Sequence, residues 1–282
     1  MKLLDYDLEE RILIMGILNI TPDSFSDGGN FFSYDSAVKH AKKMVKEGAD
    51  IIDIGGESTR PGSKKISSEE EIKRILPVVK KICKEIKKPI SVDTYKSDVA
   101  KKCLEAGASM INDITALRYD ENLLDVVKSY DAPICLMHMK GTPQNMQKNP
   151  NYKDIIKEIK DFLKERSDYA IKNGISKNKI IIDPGIGFGK RTGHGIEDNC
   201  KIIANISEFK KLGFPVLIGT SRKTFIGNIS GKEKLAPNKR IVGSIMTAVI
   251  SKINGANILR VHDVKETIQS LNIIRCIDNE EK

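Results

Sequence analysis

Along the chain, short apolar runs alternate with longer stretches in which apolar residues return every three or four positions. The runs at residues 12–17, 50–54, 89–92, 109–112, 132–137, 179–182, 214–218 and 256–261 are mostly bounded by Gly, Pro or Asp, and several are rich in Ile and Val. Apolar runs without polar alternation predict strands covered on both faces, as in a parallel sheet. Between them, sets such as Ala37, Ala41, Met44, Val45 and Ile72, Ile75, Leu76, Val79, Ile82, Ile86 have the spacing of helices with one buried face. Glu47-Gly48-Ala49, Ala106-Gly107-Ala108 and Asn254-Gly255-Ala256 put a glycine where a helix closes and the chain re-enters the sheet. Eight strand–helix units predict an α/β fold, a (β/α)8 TIM barrel forming one domain with a core over about residues 12–275. An open doubly wound sheet is the alternative, and it would hold its ligand at one switch point.

The polar residues favour the closed form. Asn19, Glu57 to Arg60, Asp93, Asn112, His138, Asp183, Ser221 to Lys223 and Arg260 to His262 each fall at or just past the C-terminal end of a predicted strand. A closed barrel brings such positions to one mouth, where barrel enzymes carry their sites. Asp93, Asn112 and Asp183 supply acceptors and one amide at its floor, which suits a flat heterocycle bearing N–H donors. Helix capping is the competing reading for Asp93 and Asp113. Arg60, Lys223, Arg260 and His262 form a positive cluster suited to a phosphate-like anion, and Arg260 and His262, two apart, point the same way in extended chain.

The segment Asp183-Pro-Gly-Ile-Gly-Phe-Gly-Lys190 is neither a P-loop nor a dinucleotide fingerprint, because Pro184, Arg191 and Lys190 stand where those motifs need Gly, Ser/Thr and Gly. Its glycines let the backbone turn sharply off a strand and approach a ligand closely. A resident metal cage is not predicted, since no His pair has ligand spacing and the carboxylates are dispersed.

Composition narrows the class. The 282 residues are 40% apolar and 30% charged, with formal net charge +9. The lysines lie in scattered groups at helical spacing, which reads as solvated helix faces and not as a nucleic-acid surface. The best candidate for a membrane span, residues 241–259, is interrupted by Ser244, Thr247, Ser251, Lys252 and Asn254. The acidic start (Asp5, Asp7, Glu9, Glu10) differs from an export signal, and five dispersed cysteines without a CxxC pair predict buried thiols. A cytoplasmic location is the expectation.

The segments NITPDSFSDGG (residues 19–29), DIGGESTRPGS (53–63), SVDTYK, IND, DPGIGFGK, GTSRK (219–223) and RVHDV (260–264) together resemble the dihydropteroate synthases of folate biosynthesis, in that family's order and over about residues 14–264. The resemblance implies a homodimeric barrel that joins p-aminobenzoate to dihydropterin-hydroxymethyl pyrophosphate with Mg2+, releasing pyrophosphate. It implies that Asp93, Asn112, Asp183 and Lys223, with Arg260 beside them, hold the pterin. Asn19, Arg60, Arg260 and His262 would meet pyrophosphate, with Asn19 also reaching the metal. Thr59, Arg60 and Pro61 fall on the family's second mobile loop and residues 23–29 on its first. With Phe188, Ser221 and Lys223 these loops would form the aminobenzoate pocket, and Asp93, Lys223 and Arg260 would act on the reacting atoms. Thr224 departs from the family's usual serine but retains the hydroxyl, and His194 is assigned no role. Two rivals share the resemblance: a pterin-dependent methyltransferase, which has no pyrophosphate for the SRK and RxH cations to meet, and a catalytically silent pterin-binding paralogue, which would have lost Asn19, Thr59 or Arg60.

Overall fold

A computed structural model describes residues 2–9, 11–20, 30–60, 62–193, 195–231 and 233–280. All eight predicted strands form: β1 (Leu13–Asn19), β2 (Ile51–Gly55), β3 (Ile90–Asp93), β4 (Met110–Asp113), β5 (Ile134–Met137), β6 (Ile180–Asp183), β7 (Leu217–Ile218) and β8 (Ile258–Val261). They pair in parallel in the order β7-β8-β1-β2-β3-β4-β5-β6. A parallel bridge between Ile182 and Val216, with the Ile182 N–H on the Pro215 carbonyl at 2.9 Å, joins the two ends into a barrel. Helices run between the strands: α1 (Asn30–Lys46), α2 (Ser68–Glu85), α3 (Ser97–Glu105), α4 (Asn122–Ser129), α5 (Ile155–Lys172), α6 (Asp198–Ala204), α7 (Ile206–Lys210), α8 (Thr224–Ile229), α9 (Ile241–Ile253) and α10 (Val264–Glu280).

Alternation within each strand separates two cores. Outward residues such as Ile52, Ile54, Ile111, Leu136 and Ile182 pack against the helices, on the stripes that include Ala41, Met44, Ile75 and Val79. Inward residues Leu13, Met15, Ile51, Met110, Cys135, Ile181, Leu217 and Ile258 fill the lower barrel. Leu3 and Leu8, from the N-terminal hairpin of Lys2–Leu3 and Tyr6–Asp7, join that cluster and stopper the bottom. Helix α2 shows the local rules: the Ser67 side chain caps the Glu70 N–H at 3.2 Å, Glu69, Glu70 and Glu71 sit in the positive first turn, and Ile75, Val78, Val79 and Ile82 are buried. The predicted glycine stops are left-handed at Gly48 (φ +109°), Gly107 (φ +103°) and Gly255 (φ +106°). Among the described residues no helix is long and apolar enough to cross a membrane.

Candidate active site

Two residues above the apolar layer, the same inward faces turn polar. Asp53 lies above Ile51, Asn112 above Met110, Asp183 above Ile181 and Arg260 above Ile258, and register sets Asp93 beside both Gly55 and Asn112. Arg260 ties the floor together. Its Nε donates to Asp53 Oδ2 at 2.6 Å and its Nη2 to Asp93 Oδ2 at 2.8 Å, while Asn112 Nδ2 donates to Asp53 Oδ2 at 3.2 Å. Burial alone would lower the Arg260 pKa, but Asp53 and Asp93 outweigh it and hold it above its ordinary value. Burial lifts the Asp93 carboxyl to about 7 against the pull of Arg260. Asn112 Oδ1 and Asp53 Oδ1 are buried without a hydrogen-bond partner. Such acceptors cost free energy unless something donates to them.

One wall is the glycine turn after β6. Asp183 Oδ1 accepts the Gly185 N–H at 2.7 Å, and burial raises its carboxyl to about 6 despite that bond and the Lys223 charge. Only glycine fits position 185, where φ is +73° and a Cβ would stand 1.9 Å from the His138 carbonyl oxygen. Lys190 holds the turn from beneath, its Nζ donating to the carbonyls of Gly185 and Phe188 at 2.8 Å each and lying 3.0 Å from His138 Nδ1. Burial drives the Lys190 pKa down to about 7. Above the turn, Lys223 Nζ sits 4.1 Å from the centre of the Phe188 ring, its pKa lowered to about 8 by burial and the Arg260 charge.

Arg222 adopts a left-handed conformation (φ +58°) and points away, pairing with Asp263 at 2.6 Å, so that Ser221 and Lys223 on either side face inward. Ser221 Oγ accepts the His262 N–H at 3.2 Å and lies 3.0 Å from His262 Nδ1. Burial and the neighbouring Arg222 and Arg260 charges press the His262 pKa down to about 3, so this imidazole is neutral at pH 7. The expected cluster therefore holds three cations, Arg60, Lys223 and Arg260: an imidazole is mostly neutral at pH 7 at its ordinary value of 6.5, and desolvation removes the remaining charge.

The pterin binding enzyme family model matches residues 15–262. The dihydropteroate synthase of Escherichia coli is 44% identical over 261 residues, which is 93% of this chain and 90% of that one. The Xanthomonas albilineans dihydropteroate synthase with 4-aminobenzoic acid superposes with a TM-score of 0.88 at 42% identity, covering 95% of this chain and 94% of that one. The same organism's enzyme in complex with 7,8-dihydropteroate gives a TM-score of 0.85 at 39% identity, covering 97% and 95%. The chain belongs to the dihydropteroate synthases.

For a dihydropteroate synthase, the residues the sequence singled out are unequally assembled. Thr59, Asp93, Asn112, Asp183, Phe188, Lys223 and Arg260 line one cleft. Ser221 and His262 stand beside it, next to Lys223 and Arg260. Asn19 ends β1, half-buried and in register with Gly55, and Arg60 is exposed. Pro61, His194 and residues 23–29 lie outside the described residues. His138 does not face the cleft; its ring packs edge-on to Phe162 at 4.9 Å, and burial and Lys190 push its pKa down to about 2. Asp93 is no helix cap, since the Ser97 N–H goes to Asp120 Oδ2 at 2.7 Å, whereas Asp113 does act locally, accepting the Thr115 and Leu117 N–H groups at 2.7 and 2.6 Å. Sequence reasoning missed Asp53 and the apolar walls Ile114, Met137 and Ile186. Strand alternation could have found Asp53 and Ile114, which share faces with Ile51 and Asn112.

Proposed function

We propose that the cleft binds 6-hydroxymethyl-7,8-dihydropterin pyrophosphate and joins it to p-aminobenzoate, giving 7,8-dihydropteroate and pyrophosphate. The observation that carries this reading is the layer of acceptors at the floor: the buried Asn112 Oδ1 without a partner, the buried carboxyl group of Asp183 and the half-buried one of Asp93. A reduced pterin presents a guanidine-like edge of N–H donors that matches them. The C–O bond from methylene to pyrophosphate breaks, the amine nitrogen forms the new C–N bond, and the amine then loses a proton to solvent. Asp93 and Asp183 oppose the positive charge that grows on the ring, and Lys223 and Arg260 fix its orientation. Phe188, Ser221, Lys223 and Thr59, with Pro61, receive the aminobenzoate; Asn19, Arg60, Arg260 and His262 receive the pyrophosphate.

The donor set fits Mg2+ only as a partner of the pyrophosphate. Asn19 offers one neutral amide oxygen, and no group of three His, Cys, Asp or Glu able to hold a metal occurs among the described residues. With His262 neutral and Arg260 shared between two carboxylates, Arg60 carries most of the positive charge offered to the anion, which supports a substrate that arrives with its metal. Bound there, Mg2+ would neutralise charge on the leaving group. Tight Mg2+ binding by the free protein would contradict this.

The deciding assay supplies the pterin pyrophosphate, labelled aminobenzoate and Mg2+ and looks for dihydropteroate. Pterin binding without product would favour a silent paralogue, and methyl transfer from a reduced pterin to a corrinoid would favour the methyltransferase. We further read the chain as a cytoplasmic homodimer. Val242, Met246, Ile250 and Ile253 expose one apolar face of α9 beside Ile273 and Ile277 of α10, which a second copy would cover. All five cysteines are free, which suits a reducing compartment, although only Cys103 and Cys135 are buried as expected, Cys83 and Cys200 being half-buried and Cys276 exposed. Sedimentation equilibrium that finds only monomer would remove the dimer.

A further inference from the structure

The segment between β2 and α2 is closed on itself at its base. Glu57, where it begins, and Ile66, where it ends, are nine residues apart, yet the Ile66 N–H donates to Glu57 Oε2 at 3.2 Å. Lys96, just past β3, gathers both ends: its Nζ donates to Glu57 Oε2 at 2.6 Å, to the Ile66 carbonyl at 2.8 Å and to Glu71 Oε2 on α2 at 2.6 Å. An ammonium has three donors, and all are used, one on the start of the loop, one on its end and one on a fixed helix. The Tyr95 hydroxyl adds a bond to Glu57 Oε1 at 2.6 Å. The Lys96, Glu57 and Glu71 side chains are only 7%, 5% and 1% exposed.

Stability gives little reason for this cluster. Two carboxylates sharing one buried ammonium carry a desolvation cost that their attraction scarcely offsets, and Glu71 Oε1 has no partner at all. What the cluster does is shape a compact loop with adjoining ends. Residues 58–65 lie between the ties, and Thr59 among them lines the cleft. The far side of the loop is held by neutral bonds among the described residues, from the Gly62 N–H to the Pro143 carbonyl at 3.1 Å and from Gln144 Nε2 to the Ser63 carbonyl at 3.4 Å, while Lys65, near its end, lies over the Tyr119 ring at 4.5 Å.

We propose that Glu57 and Lys96 are positioning residues for the aminobenzoate half of the site: they fix the two feet of the loop so that Thr59 and its neighbours meet the second substrate without touching the pterin floor. The proposal rests on the synthase reading. It separates the two substrates, because Asp93, Asn112 and Asp183 hold their places through the barrel and not through this loop.

The test compares full-length Glu57→Gln, Glu71→Gln and Tyr95→Phe with the unchanged protein, by steady-state kinetics for each substrate and by hydrogen exchange of residues 58–66 without substrates. Glu57→Gln is expected to raise KM for p-aminobenzoate about tenfold while KM for the pterin pyrophosphate moves less than about twofold, and to speed exchange in the loop. Glu71→Gln leaves both feet on Lys96, so the aminobenzoate KM should stay within about twofold and exchange in the loop should be unchanged; its charge also acts on Asp93, so the pterin KM is not part of this control. Tyr95→Phe, which keeps every charge, should shift only the aminobenzoate KM, by about two- to threefold, and stands in if Glu57→Gln fails to fold. Equal changes in both KM values, or a fall in Tm with neither KM moved, would overturn the proposal. Should the unchanged protein make no dihydropteroate, the synthase reading fails, while the exchange contrast between Glu57→Gln and Glu71→Gln still decides whether the loop is anchored as described.

Discussion

Two layers of the same barrel interior lie two residues apart on the same strands and have opposite chemistry. The lower one, from Leu13 and Met15 through Met110, Ile181 and Ile258, is apolar and fully buried. The upper one, Asp53, Asp93, Asn112, Asp183 and Arg260, is polar and largely charged, and it opens slightly toward the mouth, with the Asp93 and Arg260 side chains half-buried. Burial stabilises the first through dispersion and loss of apolar surface from water. In the second it acts on ionisation: Asp93 rises to about 7 and Asp183 to about 6, while Lys223 falls to about 8. A strand thus supports the fold at one position and recognises a ligand at the next inward one, and substitutions should separate accordingly.

Arg260→Met should break the upper layer most severely. It leaves Asp53 and Asp93 buried without their cation, so stability should fall by ~3–5 kcal/mol in chemical denaturation and turnover by about three orders of magnitude. Retention of a tenth of the activity would show that the carboxylates do not depend on it. Ile181→Ala, one step down the strand from Asp183, should cost ~2–5 kcal/mol of stability and leave both KM values unchanged in the folded enzyme. A change in pterin affinity there would mean that the layers are not independent.

Asp183→Asn should do the reverse, weakening pterin binding by ~1.5–3 kcal/mol in calorimetry without lowering Tm at neutral pH, where the buried carboxylate itself costs stability. It also carries a pH signature. With the free carboxyl of Asp93 at about 7 and that of Asp183 at about 6, pterin affinity should begin to fall as pH drops below about 7 and steepen by roughly a further tenfold per unit below about 6, and the variant should lose the second step. The folding consequence has the opposite sense: because the folded pKa values of Asp93 and Asp183 lie above the ordinary 3.8, the stability they contribute is full below 3.8 and is lost as pH rises through about 6 to 7.

The gentlest probe concerns the mouth, where the exposed Arg60 contrasts with the enclosed floor. Pyrophosphate with Mg2+ should raise aminobenzoate affinity by a coupling of ~1–3 kcal/mol, and Arg60→Ala should abolish the coupling while sparing the bare pterin ring. Equal aminobenzoate affinity with and without pyrophosphate would mean that the pocket is preformed.

Most of the barrel was legible because each strand is a short apolar run and each helix has its own period. Asp93, Asn112, Asp183 and Arg260 were legible because each closes or follows such a run. Asp53 was not, since it stands among Ile51, Ile52 and Ile54 and its partner Arg260 is 207 residues away. Glu57 was placed at the mouth by its position after a strand, but its partners Lys96 and Glu71 were not singled out, and only folding brings the three to one point. A neutral His262 was one reading open to the sequence, and enclosure decides for it by pressing its pKa well below the ordinary 6.5.

The hairpin that stoppers the barrel through Leu3 and Leu8 has a kinetic consequence. With the lower end filled, the described residues leave the floor open to solvent at the mouth, and the two substrates share that passage in sequence. Whatever rests on Asp93, Asn112 and Asp183 has to arrive before, and depart after, whatever lies above it. An aminobenzoate-like molecule that seats itself early would trap an empty floor beneath it, so such compounds should slow the association of the pterin as well as compete with the amine.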